Sequence, residues 1–367
     1  MTGPLGGVRV LMMGAMGPGP FCGMLLGDLG ADVVRVDQVR QVDGPLPIDY
    51  TVRRSQRSVA IDIKQPRGRE LVCRLGEGAD AFVDVFRPGV AERSGIGPAD
   101  LLAINPRLVY ARTTGYGQHG PYADRAGYDI NYIALTGALH GIGTHHTPVS
   151  PLNLVGDYGG GGMLLALGLL SAILEARESG SGQVLDVAMV DGAATLMAPY
   201  YGMVPAGRWR DHRCDNLLDG AAHFYGVYAT ADGKHMAVGA LEGQFYAELC
   251  ERLNVAVPQD YDDPSAWAEH RKSLAARFRE KTRAQWEEEV GTPGSCASPV
   301  PSITEAPQHP HNVARGTFVE VDGVAQPAPA PRFSRTVPGA RRRRRWPVTT
   351  AAPCWPNLES MTTASPN

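Results

Sequence analysis

The sequence predicts an α/β protein: a large domain built on a parallel sheet, joined to a smaller α+β domain. Three observations carry this. Short apolar strands alternate with helical stretches through the first 115 residues, the pattern of a parallel sheet wound with crossover helices. A strongly apolar stretch from Gly162 to Glu178 then reads as a buried helix. From residue 222 the texture changes to a hairpin and helices, and 367 residues exceed the usual size of one compact core.

In chain order, Val8–Met13 reads as a buried strand, Phe21–Leu29 as a helix closed by Gly30, and Asp32–Asp37 as the next strand. This β-α-β opening implies a right-handed crossover between parallel strands. Gly14, Gly17 and Gly19 follow the first strand and Asp37 ends the second, much as in a dinucleotide-binding fingerprint. The spacing is G-x-x-G-x-G, however, and Pro18 and Pro20 lack N–H groups where a pyrophosphate needs donors. A tight turn is the better account. Further strands are expected at Ser58–Ile63, Ala81–Val85 and Leu108–Arg112, with a helix at Arg67–Gly76. Arg53, Arg54, Arg57, Lys64, Arg87 and Arg93 fall near strand ends and suit either an anionic ligand or a solvated basic rim.

A strand at Gln183–Met189 and a helical run from Asp191 complete the large domain. Phe224–Tyr228 and His235–Val238, flanking Ala231-Asp232-Gly233, predict a β-hairpin, followed by helices at Gln244–Leu253, Ala266–Arg279 and Thr282–Val290. The expected domains are 1–221 and 222–310, then a return segment 311–336 with one short strand at Thr317–Val321. Residues 337–367, with five consecutive arginines, read as a disordered tail.

A net charge of −3 argues against a general nucleic-acid binder. The six cysteines are scattered without a CxxC pair, which fits reduced thiols and no metal site. No basic segment leads into an apolar run at the N-terminus, and Gly162–Leu174 is shorter than the ~20 residues that span a bilayer. The expectation is a cytoplasmic protein with no membrane or nucleic-acid partner.

The chemistry concentrates between Gly127 and Gly162: GYDINY, a run of small and polar residues, then NLVGDYGGGG. Asp157 precedes four glycines and the apolar helix, so a helix N-cap would account for its carboxylate at ~1 kcal/mol. An N-cap needs no glycine tetrad. Gly159–Gly162 suggest that something approaches the backbone closely at a helix N-terminus. A carboxylate there can trade protons with, or attack, a carbonyl compound; the helix dipole pulls its pKa down and burial pulls it up.

These motifs, with GPLGGVRVL, GDLGADVVRVD, FRPGVAERSGIGP, RLVYARTTGYGQHGPY, AGYDINYIALTGALHGIG, GQVLDVAMVDG and PAPRFSRT, resemble the family III CoA-transferase (CaiB/BaiF-type) family, specifically its α-methylacyl-CoA racemase branch. The resemblance spans roughly residues 3–336. It implies a Rossmann-like large domain and a smaller domain, in an interlocked homodimer with each active site between the large domain of one subunit and the small domain of the other. It also implies an acyl-CoA thioester as substrate, with no separate cofactor and no metal. In this branch a His and an Asp flank the α-carbon of a 2-methylacyl-CoA. One removes the α-proton, an enolate forms, and the other returns a proton from the opposite face, with a glutamate in support.

Matched residue by residue, Asp157 and Glu242 take the places of the Asp and the glutamate. The implied CoA and substrate contacts are Ile61, Asp62, Ile63, Lys64, Val85, Phe86, Arg87 and Arg93, with Gly127, Asp129, Ile130, Asn131 and Tyr132. Tyr128 stands where the branch has its catalytic His, and Gln38 where it has a CoA-binding Arg. A phenol, with a pKa of ~10 against ~6.5 for imidazole, is a poor base near neutrality but can protonate an enolate or donate to it.

Three readings follow. One is an acyl-CoA racemase or epimerase with Asp157, Tyr128 and Glu242 as its catalytic residues. Another is a CoA-transferase with Asp157 as nucleophile, and the third a CoA-thioester-binding homologue without racemisation. His140, His145, His146 and His223 are candidates to replace the missing imidazole.

Overall fold

Three early strands, Arg9–Met13, Asp32–Asp37 and Ala81–Asp84, are buried at nearly every position rather than alternately, as befits strands covered on both faces. The computed structural model describes residues 3–38 and 50–339, and the backbone of 344–345. In order come β1 (Arg9–Met13), α1 (Pro18–Asp28), β2 (Asp32–Asp37), β3 (Gln56–Ala60), α2 (Pro66–Glu77) and β4 (Ala81–Asp84). Then follow α3 (Val90–Arg93), α4 (Pro98–Ile104), β5 (Val109–Thr114), α5 (Asp129–Ala134) and α6 (Ala138–Gly141). A π-helical segment, Leu154–Met163, runs directly into α7 (Leu164–Ser179), followed by β6 (Val184–Ala188) and α8 (Met189–Leu196).

All pairings in the main sheet are parallel, and β3-β2-β1-β4-β5-β6 is the strand order of a doubly wound sheet. Apolar side chains pack on both faces. Leu165, Leu169, Ile173 and Ala176 of α7 meet Val10, Val83 and Val109 on one face, and Leu75 and Leu101 meet Leu11 and Phe82 on the other. The combined helix Leu154–Ser179 is 26 residues, longer than the apolar run suggested and sufficient in length and hydropathy to cross a bilayer. One face of it packs on the sheet through Leu165, Leu169, Ile173 and Ala176, while Leu167 and Leu174 are exposed.

The remaining elements are α9 (Ala198–Met203), β7 (Tyr225–Ala229), β8 (His235–Gly239), α10 (Gly243–Leu253), α11 (Trp267–Phe278), α12 (Arg283–Val290), β9 (Ala297–Pro299) and α13 (Pro310–Arg315). The predicted hairpin is present as β7–β8, and β9 adds a third antiparallel strand. Trp286, Phe278, Tyr228 and Tyr246 fill the core of this unit, with Trp286 Nε1 donating to the Phe278 carbonyl at 2.8 Å. The strand near 318 is half of a second hairpin, β10 (Phe318–Val321) with β11 (Val324–Pro327), whose Gln326 accepts a hydrogen bond from Arg54 at 3.2 Å.

The chain divides into a larger unit (1–138, 151–197 and 316–367) and a smaller one (139–150 and 198–315). The smaller unit thus begins at Ala198 rather than 222, and it includes a segment that the sequence assigned to the large domain. Arg213 is the physical reason: it donates to the carbonyls of Thr144 at 2.9 Å and His140 at 2.8 Å. Where a disordered tail was expected from 337, Gly339 N–H donates to the Asp28 carbonyl at 3.1 Å. Arg344–Arg345 (β12) pair in parallel with β3. The rest of the predicted tail lies outside the described residues.

Candidate active site

Strand order reverses between β1 and β4: the chain winds outward through β2 and β3 on one side and through β5 and β6 on the other. The crevice beyond the carboxyl ends of the strands at such a point is where doubly wound sheets bind ligands. Two cavities open there. One, of about 670 Å³, is lined by Met13, Val36, Ile61, Ile63 and Phe86, with Asp37, Gln38, Asp62, Lys64 and Ser94 as its polar members. The other, of about 270 Å³, is lined by Met16, Val85, Arg87, Tyr116, Tyr128 and Tyr132 among others, and Phe86 borders both.

Asp157 lies inside the π-helical segment, not at a helix N-cap. The helix begins upstream of the glycines because they are needed for packing. A Cβ on Gly161 would lie 2.9 Å from Pro18 Cβ, and one on Gly162 would lie 2.7 Å from Phe21 Cδ1, both on α1. What approaches the tetrad is therefore neighbouring helices of the same chain. A wide π turn lets Asp157 reach out from a helix that is otherwise wedged in place.

The half-buried Asp157 carboxylate faces Gly17, whose Cβ position is 3.3 Å from Oδ2, between Met16 and Pro18 of the second cavity's wall. Asn153 Nδ2 donates to Oδ2 at 3.0 Å, and the Asp157 amide donates to Asp129 Oδ2 at 2.7 Å. Burial, and then the Asp129 charge, push the Asp157 carboxyl above the usual carboxylate range against the pull of Asn153. A carboxyl so raised is better matched to carry a proton both ways near neutrality.

Tyr128 is the N-cap of α5; its amide donates to Asn131 Oδ1 at 3.0 Å, and its ring is 78% exposed. Its neighbour Tyr132 is buried and donates its hydroxyl to the Gly127 carbonyl. Burial, with the nearby Tyr116, Asp157 and Tyr128, pushes the Tyr132 phenol up to about 12. Tyr116 stands edge-on to both Tyr132 (4.9 Å) and Tyr122 (5.4 Å), and Tyr116 and Tyr132 line the same cavity as Tyr128.

The predicted contacts divide. Ile61, Asp62, Ile63 and Lys64 form a turn at the first cavity, where Asp62 Oδ1 accepts the Lys64 amide at 3.0 Å. Val85 and Arg87 line the second cavity, as do Gly127, Tyr128 and Tyr132. Asp129, Ile130 and Asn131 do not line it: Asp129 turns to the Asp157 amide, Asn131 caps α5, and Ile130 is exposed. Arg93 lines neither cavity and folds back over Gly89. Arg54 and Arg57 are not a solvated rim but pair with Asp28 (2.7 Å) and Asp32 (2.5 Å).

In the smaller unit, exposed Glu242 is the N-cap residue of α10, its carbonyl accepting the Phe245 and Tyr246 amides at 3.0 Å. His140, His145 and His146 also belong to this unit, and His140 pairs with Asp211 at 3.1 Å. His223 is fully buried among the rings of Phe224, Tyr246 and His270, each 5.0 Å away. Burial first, then His270 and Arg271, lowers it to about 4, which makes it a core residue rather than a replacement base.

Two further residues shape the site. Buried Asp84, at the end of β4, accepts the Phe86 amide at 2.8 Å and the Tyr110 hydroxyl at 3.2 Å, which fixes the turn carrying Val85–Arg87. Its VDVF context marks a strand end, but the partner Tyr110 is invisible at that sequence distance. Asn153, four residues before Asp157, is the other; that i, i+4 spacing was the available signal.

The model of the family described as CoA-transferase family III matches residues 5–353. The chain is 43% identical over 345 residues to alpha-methylacyl-CoA racemase of Mus musculus, covering 92% of this chain and 89% of that one. It is 40% identical over 344 residues to the Homo sapiens protein of the same name, with the same two shares. A CAIB/BAIF family protein from Brucella suis, known from a crystal structure, superposes with a TM-score of 0.79 at 26% identity, covering 94% of this chain and 96% of that one.

Proposed function

The chain belongs to CoA-transferase family III, and on that premise we propose that it is an acyl-CoA racemase or epimerase acting on the α-carbon of 2-methylacyl-CoA thioesters. The observation that carries this reading is Asp157: a carboxyl raised by burial, set against Gly17 between Met16 and Pro18, which line the same cavity as Tyr128. In the proposed reaction the CoA moiety occupies the crevice over Ile61–Lys64 and Val85–Arg87. Asp157 takes the α-proton from one enantiomer, which leaves an enolate, and returns a proton in the reverse direction. Tyr128 donates its phenolic proton to the opposite face and recovers one from solvent, while Asp157 releases the proton it took to solvent, so that both groups return to their starting states. Glu242 assists from the smaller unit of the second subunit in an interlocked homodimer.

The test is incubation with (2R)- and (2S)-2-methylacyl-CoA in D₂O, following α-deuteration and optical purity. Both substrates should incorporate deuterium, and Asp157→Asn should abolish it. Wild-type protein that exchanges no α-proton with any of several chain lengths overturns the reading. Tyr128 favours one competing account, a CoA-transferase, because a nucleophilic Asp157 needs no second proton carrier. Hydroxylamine would trap the acyl–Asp157 anhydride of that route and leave the racemase untouched.

A further inference from the structure

Asp129 is 5% exposed although it directly follows the exposed Tyr128. Its Oδ2 accepts the Asp157 amide at 2.7 Å, while its buried Oδ1 meets no hydrogen-bond partner among the described residues. Room has been left for it: a Cβ on Gly156 would lie 2.6 Å from that Oδ2. A buried carboxylate with one orphaned oxygen is a standing cost to the fold. Capping of α5 does not require it, because the Asn131 side chain performs that task. Such a group persists where its charge or its geometry serves something else.

We propose that Asp129 is a positioning residue for Asp157: it locks the Asp157 amide in the π-helical turn and holds a negative charge behind the Asp157 carboxyl. This rests on the proton-transfer reading, in which Asp157 must be able to keep a proton as well as give one up. Few other groups bear on it. Asn153 donates to Asp157 from the same helix, and the Tyr132 phenol feels its charge. The end of α1 that meets it, Gly17 to Phe21, carries no charged side chain. Of the other elements packed on the π segment, α8 carries Asp191 and β6 carries Asp186, which is engaged by the Gln118 amide at 2.9 Å. The charged residues of α7, Glu175, Arg177 and Glu178, fall in its last turns, well beyond Asp157 in the chain.

The experiment uses the full chain labelled with ¹³Cγ-aspartate. NMR titration follows the Asp157 carboxyl, identified as the signal missing from Asp157→Asn. In Asp129→Asn, which keeps shape and an acceptor but removes charge, the Asp157 midpoint should move to lower pH. In Asp129→Ala, kcat for α-proton exchange should fall about tenfold with KM little changed, and Asp129→Asn should recover part of it. An unmoved Asp157 midpoint in folded Asp129→Asn overturns the proposal. Should that variant fail to fold, Gly156→Ala, which crowds Asp129 without altering its charge, must perturb the same signal or the proposal falls. A wild-type protein without exchange would sink the racemase reading instead, and the titration would still report the Asp129–Asp157 coupling.

Discussion

Gly192 and Gly160 meet backbone to backbone: a Cβ built on Gly192 would lie 1.9 Å from the Gly160 carbonyl oxygen. This contact clamps α8 onto the π-helical segment three residues beyond Asp157. The opposite side of that segment rests on Pro18 and Phe21 of α1. Asp157 therefore takes its position from a three-helix junction rather than from local capping. Gly192→Ala should destabilise the protein by about 1–3 kcal/mol through overpacking, and lower Tm by about 2–4 °C for each of those kcal/mol. Thermal melting measures this. α-Proton exchange measured well below Tm should fall too, because the segment carrying Asp157 must shift; an unaltered Tm would show that the contact is slack.

Tyr128 can be exchanged without disturbing its surroundings. Its ring is exposed, and the backbone amide that begins α5 is held by Asn131, not by the phenol. Substitutions here should stay within about 0.5 kcal/mol of wild-type stability. Tyr128→His would restore a base near neutrality, and racemisation should rise by up to the 10²–10⁴ that general base catalysis contributes, on the order of what its loss removes. Tyr128→Phe should slow exchange if the phenol donates its proton. Chiral analysis of the recovered acyl group separates racemisation from one-sided exchange, and no gain in Tyr128→His would mean that the site has been rebuilt more deeply.

The fold was legible where short runs of apolar residues stand next to one another rather than alternating, as in Val10–Met13 of β1 and Ala81–Val83 of β4, a pattern that suits strands covered on both faces. Asp157 was legible from its company of glycines, but their purpose was not. GDYGGGG has so little intrinsic helix propensity that it reads as a loop, and only packing against α1 and α8 makes it helical. The same blindness to distant partners hid the hydrogen bond that Asp129 accepts from the Asp157 amide, 28 residues away. It also misplaced the unit boundary, since residues 139–150 are claimed by Arg213. Arg54 and Arg57 suited either an anionic ligand or a solvated basic rim because nothing in the local sequence announces Asp28 and Asp32 as their partners.

One buried ion pair beneath the first cavity should govern acid stability. Arg35 lies fully buried on β2 and grips Asp37 through two hydrogen bonds of 2.8 Å, with Gln56 at 3.0 Å. Burial pushes the Asp37 carboxyl up, but the hydrogen bonds and charge of Arg35, helped by Ser58 and Arg53, hold it below the ordinary range. A depressed carboxyl contributes stability that is complete above its unfolded pKa of about 3.9 and is lost as pH falls through the lower folded value. Arg35→Met leaves the carboxylate buried without its cation and should cost about 3–5 kcal/mol near neutrality. Urea unfolding from pH 7 downward should show that penalty shrinking in acid as Asp37 takes up a proton; a penalty independent of pH would mean that packing, not charge, is what Arg35 supplies.

His223 gives the opposite group and a separate pH window. It sits at about 4, below the ordinary imidazole value, with neither ring nitrogen hydrogen-bonded among the described residues. The unfolded chain therefore binds a proton that the folded chain refuses, so stability declines as pH falls from about 6.5 through the folded value. His223→Phe, which suits the cage of Phe224 and Tyr246, should flatten this decline while leaving stability near pH 8 little changed. Chemical denaturation at a series of pH values, followed through buried Trp267 and Trp286 of the same unit, reads it directly. The same variant should retain α-proton exchange above pH 7, because a ring with no exposed surface cannot hand a proton to a substrate. A variant that folded normally yet lost exchange would return His223 to the catalytic candidates.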